Sequence, residues 1–282
     1  MVVQGRDLRS IDWDTGGSSA QVKSAILLAG IVAGVEVRVT ETAPSRDHTE
    51  RMLRAMGVDV ENDGNQVCLR PASRLRALEL EVPADPSSAA MFVALAVMAD
   101  EGELVIEDIC LNPTRTGFLR AVSRMGGDLF TEDLKESGGE QIGSVRVRPG
   151  SLESISLGAS EVPSLIDELP ILACLAAGSG VDLEVTGAAE LRVKESDRIT
   201  TVVENLISVG ASAEELPDGF RVHGHRGGTP LAGTVDPRGD HRIAMAFGIL
   251  GAVHGNRIEV QGQDCVGVSY PRFWDDLKRA VA

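Results

Sequence analysis

Four short clusters put charge at the mouths of apolar stretches. Arg192-Val193-Lys194-Glu195-Ser196-Asp197-Arg198 precedes ITTVVENLISVG, and Asp240-His241-Arg242 precedes IAMAFGILGA. Arg46-Asp47-His48-Thr49-Glu50 leads into RMLRAMG, and Ser18-Ser19-Ala20-Gln21 into VKSAILLAG. If each stretch is a helix, its first turn exposes unpaired N–H groups and a partial positive charge, which favour anions and disfavour cations. Arg46 and Arg242 therefore stand where a cation is costly. A helix begun by Lys194 would also set Lys194 and Arg198 four apart, where like charges repel. A bound anion relieves both costs. Glu195, held between these cations, could exchange protons beside such an anion. Asp167, in Leu165-Ile166-Asp167-Glu168-Leu169-Pro170, occupies the matching place before another apolar stretch.

Each cluster also has a purely structural reading. Ser18 with Gln21, and Asp47 with Glu50, have capping-box spacing. Asp167 and Asp240 suit N-caps. A run such as 192–198 can be a solvated face. Ser87-Ser88 stand at the position of Ser18-Ser19 but follow Asp85-Pro86, a cap and first-turn proline, and read as structural. His223-x-His225 has no third ligand nearby in sequence and reads as a strand end. The Gly227-Gly228 loop lacks the lysine and hydroxyl of a P-loop. No metal ligand set or cofactor motif emerges; GxGxxG, HExxH and GxSxG are all missing from the sequence.

The elements that must position these clusters follow a repeat. SSAQVKSAILLAG (18–30), SSAAMFVALAVMA (87–99), IDELPILACLAAG (166–178) and DHRIAMAFGILGA (240–252) are Ala-rich and apolar all round, as buried helices are. A β-rich run follows each: 35–39, 103–109, 181–187 and 256–262. Then come amphipathic helices at 48–57, 116–127 and 199–210, with Gly57, Gly126 and Gly210 at the C′ position. Two short strands close the unit, as at 58–71 and 211–225. The fold expected is α/β, built of helix–strand–helix–strand–strand units.

Residues 2–14 read as the closing strands of an earlier unit, and 271–282 as the second helix of a last unit without closing strands. An array open at both ends predicts either a segment supplied from elsewhere, by self-association or by pairing with a separate N-terminal fragment, or a chain that is part of something longer. The sequence places a partial domain at 1–84 and a larger one at 85–282, with the boundary at Glu81–Pro86.

Composition narrows the function. The 282 residues carry a net charge of −15 and 3% aromatics, which argues against nucleic acid and anionic membrane as partners. Four scattered cysteines without a CxxC pair, and a polar N-terminus without a signal peptide, point to a reduced, cytoplasmic location.

Together SAQVKSA (19–25), RDHTERML (46–53), DPSSAAMF (85–92), NPTRTG (112–117), IDELP (166–170), LRVKESDR (191–198) and DHRIAM (240–245) occur in the order seen in bacterial EPSP synthases. The chain resembles that family, the 3-phosphoshikimate 1-carboxyvinyltransferases, across its whole length. The resemblance implies two similar domains of βαβαββ units. It implies transfer of the enolpyruvyl group of phosphoenolpyruvate to the 5-hydroxyl of shikimate 3-phosphate, releasing phosphate, in chorismate and aromatic amino acid biosynthesis. No cofactor is implied. Carried over, Ser19, Ala20, Gln21, Arg46, Asp167 and Lys194 would line the shikimate 3-phosphate site. Gln21, Arg198, His241 and Arg242 would hold phosphoenolpyruvate. Asp167, Lys194 and Glu195 would be catalytic, Asp167 at the attacking hydroxyl and Glu195 at the enol carbon.

The sequence departs from the family in places. Ala20 replaces a serine of some members, and Gly267-Val268-Ser269-Tyr270-Pro271 lacks a lysine found there in others. Both resemble the glyphosate-tolerant subgroup. The family's N-terminal Lys-x-x-x-x-Arg and Gly-Asn-Ala-Gly-Thr segments are missing from these 282 residues, so the chain alone is expected to have little activity. Two other readings stay open: a non-catalytic relic or interaction protein of the same fold, and the related UDP-N-acetylglucosamine enolpyruvyltransferase, which normally lacks the LRVKESDR pattern.

Overall fold

The computed structural model describes residues 4, 5, 7, 9–224 and 230–281. They form two compact units, one of residues 1–82 with 135–142, the other of 83–134 with 143–282.

The first unit is a single repeat: β1 (Ile11–Asp14), α1 (Ala20–Ala33), β2 (Val37–Thr40), α2 (His48–Ala55), β3 (Val60–Asp63) and β4 (Gln66–Leu69). Its sheet runs β1-β2-β4-β3, with β1 parallel to β2 and the other pairs antiparallel. Ile11–Asp14 is thus the opening strand of this repeat, not the close of an earlier one. A parallel partner is reached only through a crossover, and α1 provides it.

The second unit repeats the plan. α3 (Pro86–Met98), β5 (Leu104–Cys110), α4 (Gly117–Arg124), β6 (Leu129–Ser137) and β7 (Glu140–Val147) give a sheet in the order β5-β7-β6, and the hairpin end of β6 and β7, residues 135–142, counts with the first unit. The opening strand here shrinks to one parallel bridge, Ala84 to Ile109. The next repeat is complete: β8 (Ile155–Leu157), α5 (Leu169–Ser179), β9 (Leu183–Val185), α6 (Arg198–Ser208), β10 (Ser212–Leu216) and β11 (Gly219–His223). Its order β10-β11-β9-β8 matches the first unit's, and β8 is parallel to β9. The last has β12 (Ala232–Val235), α7 (His241–Ala252), β13 (Arg257–Val260) and α8 (Phe273–Ala280), with β12 parallel to β13.

The amphipathic helices stop as expected. Met56, Met125 and Val209 are C-caps, and Gly57, Gly126 and Gly210 follow at φ of 87°, 88° and 90°, where a side chain is disfavoured.

The apolar helices divide into two cases. α3, α5 and α7 pack on one another in the core of the second unit, and residues 169–176 of α5 are all buried. Side chains have little room there: a methyl on Gly178 would lie 2.5 Å from Met98 Sδ and 3.0 Å from a Leu250 methyl. α1 departs from the expected burial. It buries Lys23, Leu27 and Gly30, while Val22, Leu28 and Val32 are 46%, 44% and 88% exposed. The reason lies in the packing partners: among the described residues, the first unit contains no second or third helix of this kind.

Lys23 is the unexpected core residue. At 2% exposure its Nζ lies 2.9 Å from Glu41 Oε2 and 2.7 Å from Glu50 Oε1, both carboxylates buried as well. The apolar stem of lysine continues the helix stripe while the ammonium joins the end of β2 to the first turn of α2.

Candidate active site at the carboxyl ends of the parallel strands

In every repeat the two parallel strands point the same way, so the segments leaving their C-terminal ends emerge at one edge. Asp14 is level with Thr40, Leu157 with Val185, and Val235 with Val260. The predicted residues all lie on these exits. Ser19, Ala20 and Gln21 follow β1, and Arg46 follows β2. Asp167 follows β8, Lys194, Glu195 and Arg198 follow β9, and His241 and Arg242 follow β12. Open α/β sheets commonly bind ligands just beyond the carboxyl ends of their strands.

In the first unit the helix start and the Arg46 segment are stitched together. Ser18 Oγ donates to Ala43 O at 2.7 Å and accepts from Ala43 N at 2.9 Å. The Ser24 and Thr49 hydroxyls meet at 2.7 Å, and Ser45 N donates to Glu41 Oε2 at 3.3 Å. The cap of α1 is Ser19, accepting from Val22 N at 3.4 Å, so the Ser18–Gln21 capping box does not form. Gln21 is exposed. Nor does the Asp47–Glu50 box: the Asp47 side chain makes no cap bond but pairs with Arg51 Nε at 2.9 Å, and Glu50 turns into the core toward Lys23.

In the second unit Arg198 is the hub. Its side chain is 1% exposed, far from the solvated face that a charge run allows. Nε donates to Asp240 Oδ2 at 2.7 Å, Nη1 to Asp167 Oδ1 at 3.3 Å, and Nη2 to Glu195 Oε2 at 2.5 Å. Arg242 Nη2 lies 3.5 Å from the other Asp167 oxygen. Three carboxylates and two guanidiniums from three exits therefore meet. Desolvating these ions is tolerable because each is paired and hydrogen-bonded.

Local chain geometry sets each member. α6 begins at Arg198, with Asp197 as N-cap accepting from Thr200 N at 3.2 Å. Lys194 lies before the helix in extended backbone and pairs with Glu190, so the expected i,i+4 repulsion with Arg198 does not arise. The structure thus assembles Asp167, Glu195, Arg198 and Arg242 but engages Lys194 with Glu190. Asp240 caps α7 as expected, accepting from Arg242 N at 2.9 Å. It also carries Arg198, a role that its place in the sequence did not show. Asp167 is no cap; it sits in a short 3-10 turn, Ile166–Glu168, and its carboxylate faces the arginines. His223 is exposed on β11; His225, Gly227 and Gly228 lie outside the described residues.

Burial, with the Arg242 cation adding to it, holds the His241 imidazole below its ordinary range. His241 is thus a neutral hydrogen-bonding group at neutral pH. Proton NMR should show it titrating below an unfolded-chain histidine, and Arg242→Ala should move its midpoint upward. Because the folded value is depressed, its contribution to stability is full at higher pH and fades as pH falls through the unfolded value. A midpoint unchanged by Arg242→Ala would contradict this electrostatic neighbourhood.

Sequence similarity agrees with this geometry. The family model for EPSP synthase (3-phosphoshikimate 1-carboxyvinyltransferase) matches residues 1–277. The chain belongs to the EPSP synthase family. It is 44% identical over 284 residues to the 3-phosphoshikimate 1-carboxyvinyltransferase of Persephonella marina, covering 99% of this chain and 65% of that one. It is 45% identical over 286 residues to the enzyme of the same name from Aquifex aeolicus, covering 100% and 66%. The chain thus spans just under two thirds of the length of these relatives. An EPSP synthase structure from Acinetobacter baumannii superposes with a TM-score of 0.90 at 40% identity, over 98% of this chain and 63% of that one. The enolpyruvyl transferase NikO from Streptomyces tendae, at 17% identity and TM-score 0.67, shares the fold. No helix among the described residues is long and apolar enough to cross a membrane.

Proposed function

We propose that this chain carries the acid–base half of an enolpyruvyl transfer from phosphoenolpyruvate to the 5-hydroxyl of shikimate 3-phosphate. The carrying observation is the Asp167–Arg198–Glu195–Arg242 cluster on one strand edge. Both substrates are multiply charged anions, and guanidinium forks match phosphate and carboxylate geometry. Arg242 is 18% exposed and keeps a face for phosphoenolpyruvate. Arg198 is buried, so its Nη2 becomes available when Glu195, whose side chain is 51% exposed, swings toward the substrate.

The chemistry balances as addition followed by elimination. The hydroxyl oxygen bonds to the enol carbon, its proton passes to Asp167, and the methylene gains a proton from Glu195. The C–O bond to phosphate then breaks, the departing phosphate takes up the proton held by Asp167, and the methyl returns a proton to Glu195, restoring the vinyl group. Positive charge building at the enol carbon is stabilised by the nearby carboxylates. Ser19, Gln21 and Arg46 serve the shikimate 3-phosphate in this reading, with Ala20 lining that subsite, His241 stands beside phosphoenolpyruvate, and Lys194 leaves Glu190 to reach substrate.

The test is phosphate release by the 282-residue chain, alone and mixed with an N-terminal segment of a relative. Release that requires both substrates, and that is restored or raised by the segment, supports the reading. Silence in both arms favours a relic of the fold. Release with a UDP-sugar acceptor in place of shikimate 3-phosphate favours the sister activity.

A further inference from the structure

We propose that Glu168 is a positioning residue for Asp167, remaining a neutral carboxylic acid at neutral pH and seated by Ser87 and Arg115. The role given to Asp167 rests on the function proposed above; the protonation of Glu168 stands on the following geometry alone.

Glu168 ends the same 3-10 turn as Asp167 and is 2% exposed. Its carboxyl meets the hydroxyl of Ser87, in the first turn of α3. Arg115 Nη2 donates to that same Ser87 oxygen at 2.8 Å and to Asp85 Oδ1 at 2.8 Å. Arg115 therefore reaches Glu168 only through a hydroxyl. The other cations are engaged elsewhere: Arg198 with Asp240, Glu195 and Asp167, and Arg242 with Asp167. An ionised Glu168 would be a buried negative charge beside Asp167, with the neutral Ser87 hydroxyl as its donor. Such a charge costs several kcal/mol, and groups of this kind take up a proton instead.

The charged groups facing it are Asp85 at the start of α3, Arg115 after β5, Asp167 on its own turn and Arg242 on α7. Burial raises the affinity of Glu168 for a proton, the Ser87 bond opposes that, Asp167 adds to it, and Arg115 and Arg242 oppose it. The balance is upward. A neutral Glu168 leaves Asp167 as the charged member of the turn, so both its oxygens stay with the arginines. It also explains why Ser87 differs from the merely structural hydroxyl expected of a first-turn serine.

The sign of the linkage follows. The folded chain binds the Glu168 proton where the unfolded chain has lost it, so stability falls as pH rises from the ordinary glutamate range through the folded value.

Infrared difference spectra of the whole chain test this without substrate, so a silent transfer assay does not bear on it. A protonated-carboxyl band should be present at neutral pH, vanish in Glu168→Gln, and shift in Ser87→Ala. The Gln variant, isosteric with the neutral acid, should match wild-type stability at acid pH, where folded and unfolded chains both hold the proton, and should lose the decline that the wild type shows as pH rises above the ordinary glutamate range. No band at neutral pH, or one that survives Glu168→Gln, overturns the proposal. If Glu168→Gln does not fold, carboxyl carbon-13 NMR of glutamate-labelled wild type decides: one glutamate resonance should keep the protonated position at neutral pH and move in Ser87→Ala. Absence of such a resonance overturns it equally.

Discussion

Asp167→Asn is expected to lower phosphate release by about 10²–10⁴-fold, the range typical of a lost general base, while leaving the second unit folded. Asparagine keeps the shape and one acceptor oxygen but cannot take the hydroxyl proton. Arg198 retains Asp240 and Glu195, so its burial is still compensated. Asp240→Asn should behave in the opposite way. Asp240 is fully buried, holds Arg198 Nε and caps α7, so its charge matters first for folding. Thermal unfolding and phosphate release, measured on both variants in a preparation with established turnover, separate the two roles. A large stability loss in Asp167→Asn with unchanged kcat would reverse the assignment.

The second large effect concerns stability. Lys23→Ala should destabilise the first unit by about 3–5 kcal/mol, the usual cost of leaving buried partners of an ion pair uncompensated. Glu41 and Glu50 would then face each other in the core without the ammonium. Each already has one buried oxygen without a hydrogen-bond donor, Glu41 Oε1 and Glu50 Oε2. The triple change Lys23→Met, Glu41→Gln, Glu50→Gln should recover much of the loss, because replacing a whole buried ion network is often near neutral. The two tryptophans divide between the units, Trp13 on β1 and Trp274 on α8. Urea unfolding of Trp274→Phe therefore reports the first unit through Trp13, which is 49% exposed. A Lys23→Ala midpoint equal to the parent's would show that the triad contributes nothing.

The repeat was legible because it rests on local signals. All-round apolarity marked α3, α5 and α7, and glycines at left-handed positions marked the ends of α2, α4 and α6. What escaped is non-local. Ile11–Asp14 looks like any short strand, and only its pairing with β2 makes it the opening strand. The same apolar pattern is buried in α5 and half-exposed in α1, because burial depends on which helices pack alongside.

The site divides the same way. A cost argument about cations at helix starts singled out Arg198 and Arg242, with Glu195 beside them, while Asp167 was marked only by its matching place and took its role from the family resemblance. The structure meets that cost for Arg198 with the protein's own carboxylates. Lys23 gave no warning, since it lies in an apolar stretch, and Glu168 gave little, since it stands beside a more conspicuous aspartate. Glu50 gave a misleading one, since its spacing fits a cap while its side chain turns inward. Glu168 was discoverable only by noticing that two acids in succession begin a helix whose next eight residues are buried.

The most direct measurement follows solvent deuterium into product. With phosphoenolpyruvate and shikimate 3-phosphate in deuterium oxide, the active assembly containing this chain should release phosphate and form a carboxyvinyl ether. Deuterium should appear in its vinyl methylene if, as proposed, that carbon gains and then returns a proton at Glu195, and Glu195→Gln should lose both signals together. Phosphate appearing with free pyruvate, or a vinyl product carrying no deuterium, would contradict the account.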